Sequence, residues 1–132
     1  MKKIILPIAI AACALAAQFA PAAPQPDVKE IMSKPLTDIP GKEGLMLMVT
    51  YPPGSADEIH RHNAHAFVYV LEGSVVMQLR GAEPVTVKAG ETFYEGPNDV
   101  HIVGRNASDS QPAKFVVVLV KKQGVPAVLP AK

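Results

Sequence analysis

Between Leu45 and Lys122 the apolar residues never recur at helical spacing over a useful length. They come in short runs, many of alternating apolar and polar residues, and turn residues divide them. Leu45 to Tyr51 closes on Pro52-Pro53-Gly54. Glu58 to His62 is short, and Ala66 to Leu71 is strongly β-prone before Glu72-Gly73. Ser74 to Arg80, Val85 to Lys88, Thr92 to Glu95, Val100 to Val103 and Lys114 to Lys122 complete the set. The chain has 13 Pro and 9 Gly, and most of those in this region fall between the runs, where strand pairing tolerates them. About eight short strands in roughly 80 residues predict an all-β sandwich or barrel. At 132 residues there is room for one such domain.

The N-terminus reads differently. Met1-Lys2-Lys3 is a short basic start, Ile4 to Ala17 is apolar, and Ala20-Pro21-Ala22 has the small-x-small form of a signal-peptidase site. The apolar run is too short for a stable membrane span. Residues 1–22 are expected to be a signal peptide and the protein periplasmic or secreted. Ile10-Ala11-Ala12-Cys13 resembles a lipoprotein box, so a lipid anchor at Cys13 is the minority alternative. Cys13 is the single cysteine, so a chain cleaved after Ala22 has no disulfide. Without Lys2 and Lys3, the 13 basic residues become 11 against 12 acidic ones, a net charge of −1. There is no basic stripe, which argues against nucleic acid as a partner. Residues 23–44 read as a Pro-rich N-terminal arm, in which Val28 to Ser33 forms one helical turn or a short strand. Residues 45–122 read as the domain and 123–132 as a C-terminal tail.

Three of the four histidines, His60, His62 and His65, lie within six residues, and the fourth is His101. On a strand, residues i and i+2 share a face, so His60 and His62 project together with Arg61 opposite. Two imidazoles on one rigid inner face can chelate a metal ion. A third from a distant strand completes a set with open positions.

Gly54, five residues, His60-x-His62 and then Gly73 ending Tyr-Val-Leu-Glu-Gly resemble the first motif of the cupin family. Gly90, Pro97, His101 and Asn106 resemble its second, with 16 residues between Gly73 and Gly90. The resemblance covers about Leu45 to Val120. It implies a small single-domain cupin: a jelly-roll β-barrel holding one divalent metal ion (Fe, Mn, Zn, Ni or Cu) on His60, His62 and His101. Two departures matter. Where the family usually has a glutamate ligand, this chain has Ala66. The second motif is one residue short before His101, lacks its glycine, and places Asn106 one residue late. His65 is the nearest candidate for the vacant fourth place, or for a supporting role beside the site. Glu58 and Glu95 are the carboxylate alternatives.

The resemblance also implies a small-molecule ligand or substrate. Two functions remain open at this level. One is a small metalloenzyme, dioxygenase- or isomerase-like, with a pocket lined by Val68, Val70, Met77 and residues near His101. The other is a non-catalytic module that holds a metal or small ligand. No nucleophile or acid–base pair is recognisable outside the histidines, so the catalytic residues stay unassigned. Pairing of two copies through strands or through the arm would give a homodimer.

Overall fold

The computed structural model describes residues 22–132. The expected signal peptide up to Pro21, with Cys13 inside it, lies outside the described residues. Among the described residues there are ten strands and no helix. In chain order they are β1 (Asp27–Pro35), β2 (Lys42–Tyr51), β3 (His60–Arg61), β4 (His65–Glu72) and β5 (Ser74–Leu79). Then follow β6 (Val85–Lys88), β7 (Thr92–Glu95), β8 (His101–Asn106), β9 (Ala113–Lys122) and β10 (Leu129–Pro130). They form two five-stranded sheets, β1-β2-β9-β4-β7 and β10-β3-β8-β5-β6, antiparallel throughout. This is the all-β, two-sheet jelly roll that the short alternating runs predict.

Period-two patterning builds the interior. On β2, Leu45, Leu47, Val49 and Tyr51 are buried, and on β9 Ala113, Phe115, Val117 and Leu119 are. Ala66, Val68 and Val70 of β4 meet Val75 and Met77 of β5 in the same core. Tyr51 and Phe115 pack edge to face at 5.0 Å, the orientation the ring quadrupoles prefer. Lys121 continues the inward set of β9 although it is charged. Its ammonium is compensated by an ion pair with Glu43 and by donation to the carbonyls of Val125 (2.5 Å) and Lys122 (3.2 Å). A buried cation without such partners would be strongly destabilising.

Three segments differ from the sequence expectation. The Val28 to Ser33 alternative resolves as a strand, because β1 pairs along β2 from Asp27 to Pro35. The Glu58 to His62 run shrinks to a two-residue strand, since among the described residues the only ladder partners of His60 and Arg61 are His101, Pro130 and Leu129. The run expected over Val100 to Val103 extends to Asn106. Asn106 is buried there. Its amide donates to the carbonyls of Tyr51, Pro52 and Gln111 at 3.0, 3.1 and 2.8 Å, and its Oδ1 accepts from Ser108 N at 2.9 Å. It thereby ties two loops to one end of the barrel.

The turn between β4 and β5 has no space for a side chain. Gly73 has φ of +69°, and a Cβ there would lie 2.6 Å from the Pro112 carbonyl oxygen and 3.0 Å from Ala113 Cα. Both contacts are with backbone, which cannot step aside. Gly73→Ala is expected to lower stability by about 2–4 kcal/mol, read from denaturant unfolding. A loss under about 0.5 kcal/mol, the range of an ordinary surface change, would contradict this reading of the turn.

Candidate metal centre

His60 sits on β3 directly opposite His101 on β8. His62, two residues on, returns to the same inward face as strand parity requires. The ring centroids of His60 lie 4.9 Å from those of both His62 and His101. All three are buried, with His101 3% exposed. The three histidines singled out in the sequence therefore converge inside the barrel.

The placement of His101 in a shortened motif has a structural cause. Along the β5–β8 ladder, Gln78 faces Val103 but Leu79 faces His101, so β8 carries one extra residue. Such a bulge shifts the alternation by one. It allows His101, Gly104 and Asn106 all to be buried although two residues, not one, lie between the first two. The late Asn106 is absorbed in the same way. Gly104 also leaves the ring its room, because a Cβ there would lie 3.1 Å from His101 Cε1 and 2.9 Å from Asp57 Oδ2.

The fourth side chain that could hold a metal with the three histidines is Glu95, the last residue of β7. It is 3% exposed. Its cross-strand partner is Ala66, which is fully buried. Paired residues on adjacent strands share a face, with Cβ atoms about 5 Å apart. The carboxylate expected at position 66 is thus supplied from the neighbouring strand. Glu95 Oε1 lies 3.2 Å from His101 Nδ1, and Oε2 lies 3.6 Å from His62 Nε2. One ligand atom from each of His60, His62, Glu95 and His101 falls within 4.8 Å of all the others.

His65 lies elsewhere. Its ring is on the outer face of β4, where Nδ1 meets the Tyr94 hydroxyl at 2.7 Å and the two rings stack. With Ala66, Val68 and Val70 buried, alternation sends His65 outward. The turn at Asn63, φ of +49°, ends before it. Glu58 is exposed and contributes its carbonyl, not its carboxylate. In the sequence Glu95 stands only as one of two carboxylate alternatives, since acids are exposed by default. The available signal was parity: Glu95 shares its face with Phe93, but the equally aromatic Tyr94 on the opposite parity obscures it.

The donor set fits a metal ion. Nδ1 of His60 donates to the Glu58 carbonyl at 2.8 Å, and Nδ1 of His62 to the Ala127 carbonyl at 2.6 Å. Each bond fixes the tautomer that leaves Nε2 with a free lone pair, the arrangement common behind metal-bound imidazoles. Nε2 of His101 is buried without a hydrogen-bond partner, and Nδ1 meets only the Glu95 carboxylate, at 3.2 Å. Orphaned buried polar atoms are rare and costly. Bonds of about 2.0–2.2 Å to one ion place donors roughly 3–4.4 Å apart, near the separations found here.

The electrostatics fit as well. Burial, with the His62 and His101 rings beside it, holds the pKa of His60 below the ordinary imidazole value against the opposing bond to Glu58. Burial would lower the pKa of His101 too, but the Glu95 carboxylate outweighs it and the net shift is upward. Burial would raise the pKa of Glu95, yet His101 and the other two imidazoles bring it below the carboxylate norm. In the metal-free protein the two imidazoles act in opposite senses. His60 contributes stability above an unfolded pKa of about 6.5 that is lost as pH falls. His101 contributes stability below that pH that is lost as pH rises through its higher folded value.

Metal uptake requires every donor deprotonated. Falling pH therefore weakens binding, and the Glu95 carboxylate, which raises the pKa of His101, makes that ring a site from which uptake displaces a proton. Titration calorimetry in buffers of different ionisation heat is expected to show proton release on Zn2+ or Co2+ binding, with affinity falling at least about tenfold from pH 7.5 to 5.5. Affinity independent of pH over that interval would contradict the donor set.

A model of the cupin domain matches residues 47–119. No curated protein matches the chain significantly. Among solved structures, one similar chain is the DMSP lyase DddQ of Ruegeria pomeroyi, at 18% identity and TM-score 0.56, covering 63% of this chain and 41% of the lyase. The chain thus spans less than half of that enzyme's length. Another is an uncharacterized conserved protein with a double-stranded β-helix domain from Klebsiella pneumoniae, at 18% identity and TM-score 0.64, covering 85% of this chain and 90% of that one. A third is an RmlC-like cupin family protein from Methanocaldococcus jannaschii, at 20% identity and TM-score 0.60, covering 80% and 88%. At such identities these likenesses show the fold alone.

Proposed function

The chain belongs to the cupin family, and we propose that it is an exported metalloprotein that holds one divalent ion on His60, His62, Glu95 and His101 and acts on a small organic molecule bound beside it. One observation carries this reading. The four donors lie in the wall of a cavity of about 540 Å³ whose other lining includes Leu47, Val49, Val68, Met77 and Phe115. That volume is in the range of small-molecule sites, and an apolar wall with a few convergent polar groups is their usual make-up.

The donor chemistry narrows the reaction class. Three neutral imidazoles and one carboxylate leave a dication with a single net positive charge, lower than a three-histidine centre would carry. When bound, such an ion polarises a coordinated oxygen and acidifies its protons. The chain supplies a proton-handling pair nearby. Asp57 lines the cavity and accepts a hydrogen bond from the Tyr51 hydroxyl. Burial and the Asp57 charge raise the pKa of Tyr51 far beyond its ordinary value, so the phenol stays protonated as a donor. Tyr51 orients Asp57 beside a largely apolar wall. A dioxygenase- or isomerase-like reaction suits these parts. The alternative, a binding module without turnover, is favoured by one feature: outside the donors, the only ionisable cavity residues among the described residues are Tyr51, Asp57 and Glu58.

Metal content tests the site. His60→Ala/His62→Ala is expected to abolish stoichiometric metal in the purified protein. Glu95→Ala is expected to weaken binding at least about tenfold, the lower bound seen even for groups that only orient a ligand, while His65→Ala leaves it unchanged. Unchanged metal content in the double variant would overturn the reading. Assays of Fe2+- and Mn2+-loaded protein for oxygen uptake or product formation across a panel of small organic acids, enols and thiols separate the two functions. Turnover abolished by Asp57→Asn supports the enzyme. Tight Zn2+ with no turnover supports the module.

Export rests on the basic start, the apolar run and Ala20-Pro21-Ala22. N-terminal sequencing of protein recovered from outside the cytoplasm is expected to begin near Ala23. A start at Met1 would contradict it.

A further inference from the structure

Apart from the histidines, the charges around the cavity are all of one sign. They belong to Asp57, Glu58 and Glu95, and among the described residues no Lys or Arg lines the space. Three cations of the barrel are engaged elsewhere: Arg61 donates to Asn63 Oδ1 at 2.6 Å, Arg80 to the backbone oxygen of Lys132, and Lys121 is paired with Glu43. The Asp57 carboxylate sits against the metal donors. A Cβ at Gly104 would lie 2.9 Å from Asp57 Oδ2 and 3.1 Å from both His101 Cε1 and the Tyr51 hydroxyl, so these groups meet at one point. Its charge favours the protonated forms of both His60 and His101. The donors of the wall are spent. The Tyr51 hydroxyl donates to Asp57 Oδ2, and Nδ1 of His60 and of His62 donate to the carbonyls of Glu58 and Ala127. An acceptor remains, because Tyr51 occupies one oxygen of Asp57 and leaves Oδ1. The two ends of the cavity also differ. Val28, Ile59 and Val128 line it and are 56%, 43% and 53% exposed, which marks the mouth, whereas Met77 and Phe115 are buried at the closed end.

We infer that the cavity selects a small organic molecule that carries no anionic group, presents a protonated amine or another N–H or O–H donor to Asp57, and rests apolar carbon against the mouth. The inference rests on the metal-centre reading above and adds the ligand's charge to it. A dication held with Glu95 keeps a single positive charge, and the Asp57 carboxylate cancels it. Nothing is left over to balance a carboxylate or phosphate. Such a group would enter a largely apolar space as an unpaired charge and find no free donor, which is costly on both counts. A cationic or neutral donor meets the opposite situation. Asp57 Oδ1 offers it a charge-assisted hydrogen bond, stronger than one between neutral groups. Carbon atoms beyond that donor cover Val28, Ile59 and Val128, removing apolar surface from water. Among molecules able to coordinate a Lewis-acidic ion, amines, alcohols and enols are therefore favoured over acids.

Three catechols of similar shape differ in the charge of one ring substituent: 3,4-dihydroxybenzylamine is a cation, 4-methylcatechol is neutral there and 3,4-dihydroxybenzoate is an anion. Each is titrated by calorimetry at neutral pH into Zn2+-loaded protein, with the Zn2+ content measured before and after. The amine and the methyl compound are expected to bind, and the acid to bind at least about tenfold more weakly than the amine. Asp57→Asn is expected to shrink that gap to less than about threefold. Should this variant fail to fold, Val128→Lys at the exposed mouth is expected to raise the affinity of the acid at least about threefold by supplying the missing cation. Retained Zn2+ with the acid bound as tightly as the amine overturns the inference and leaves the metal reading standing. So does retained Zn2+ with none of the three bound, a gap unchanged in Asp57→Asn, or an acid affinity unchanged in Val128→Lys. A protein that holds no Zn2+ overturns the metal reading, and the inference with it.

Discussion

The cross-strand pairing of His60 with His101 is the contact on which the site depends. β3 is two residues long and has no hydrophobic side of its own to bury. Its place is set by β8 on one side and by β10 on the other. The same C-terminal segment supplies the Ala127 carbonyl that orients His62. The imidazoles are thus held by ladder hydrogen bonds and by backbone acceptors, which are stiffer than side-chain contacts. The well-packed core of β2, β4, β5 and β9 holds this arrangement in turn.

The bulge in β8 and the Ala66–Glu95 pair solve related problems of parity. A strand offers one inward position in every two. The shortened second motif would send either His101 or Asn106 outward on a regular strand. One extra residue lets His101 reach the cavity and Asn106 tie the loops of Tyr51 and Gln111. Losing a carboxylate at position 66 would leave three neutral donors. Glu95, one ladder rung away, restores an anion to the same region of space.

Much of this was legible in the sequence. Turn residues and period-two runs give the all-β fold and most strand positions. His60 and His62 follow from parity alone, and His101 from its place in the second motif. The misses share a cause. Strand order and register across sheets are non-local, so nothing local to Glu95 says that it pairs with Ala66 on β4. His65 looked like the substitute because it is adjacent in sequence, but adjacent residues on a strand face opposite ways. The strand at Asp27–Pro35 is equally non-local: all nine of its residues are exposed, and its main support is the ladder to β2.

The central claim is that four side chains from β3, its flanking residue, β7 and β8 share one ion. A crystal structure of the protein loaded with Zn2+ or Co2+, with an anomalous-difference map at the metal edge, tests it most directly. The account predicts one peak about 2.0–2.2 Å from the Nε2 atoms of His60 and His62, a ring nitrogen of His101 and a carboxylate oxygen of Glu95. No peak within the barrel, or a peak bound by His65 with Glu95 turned away, would contradict it.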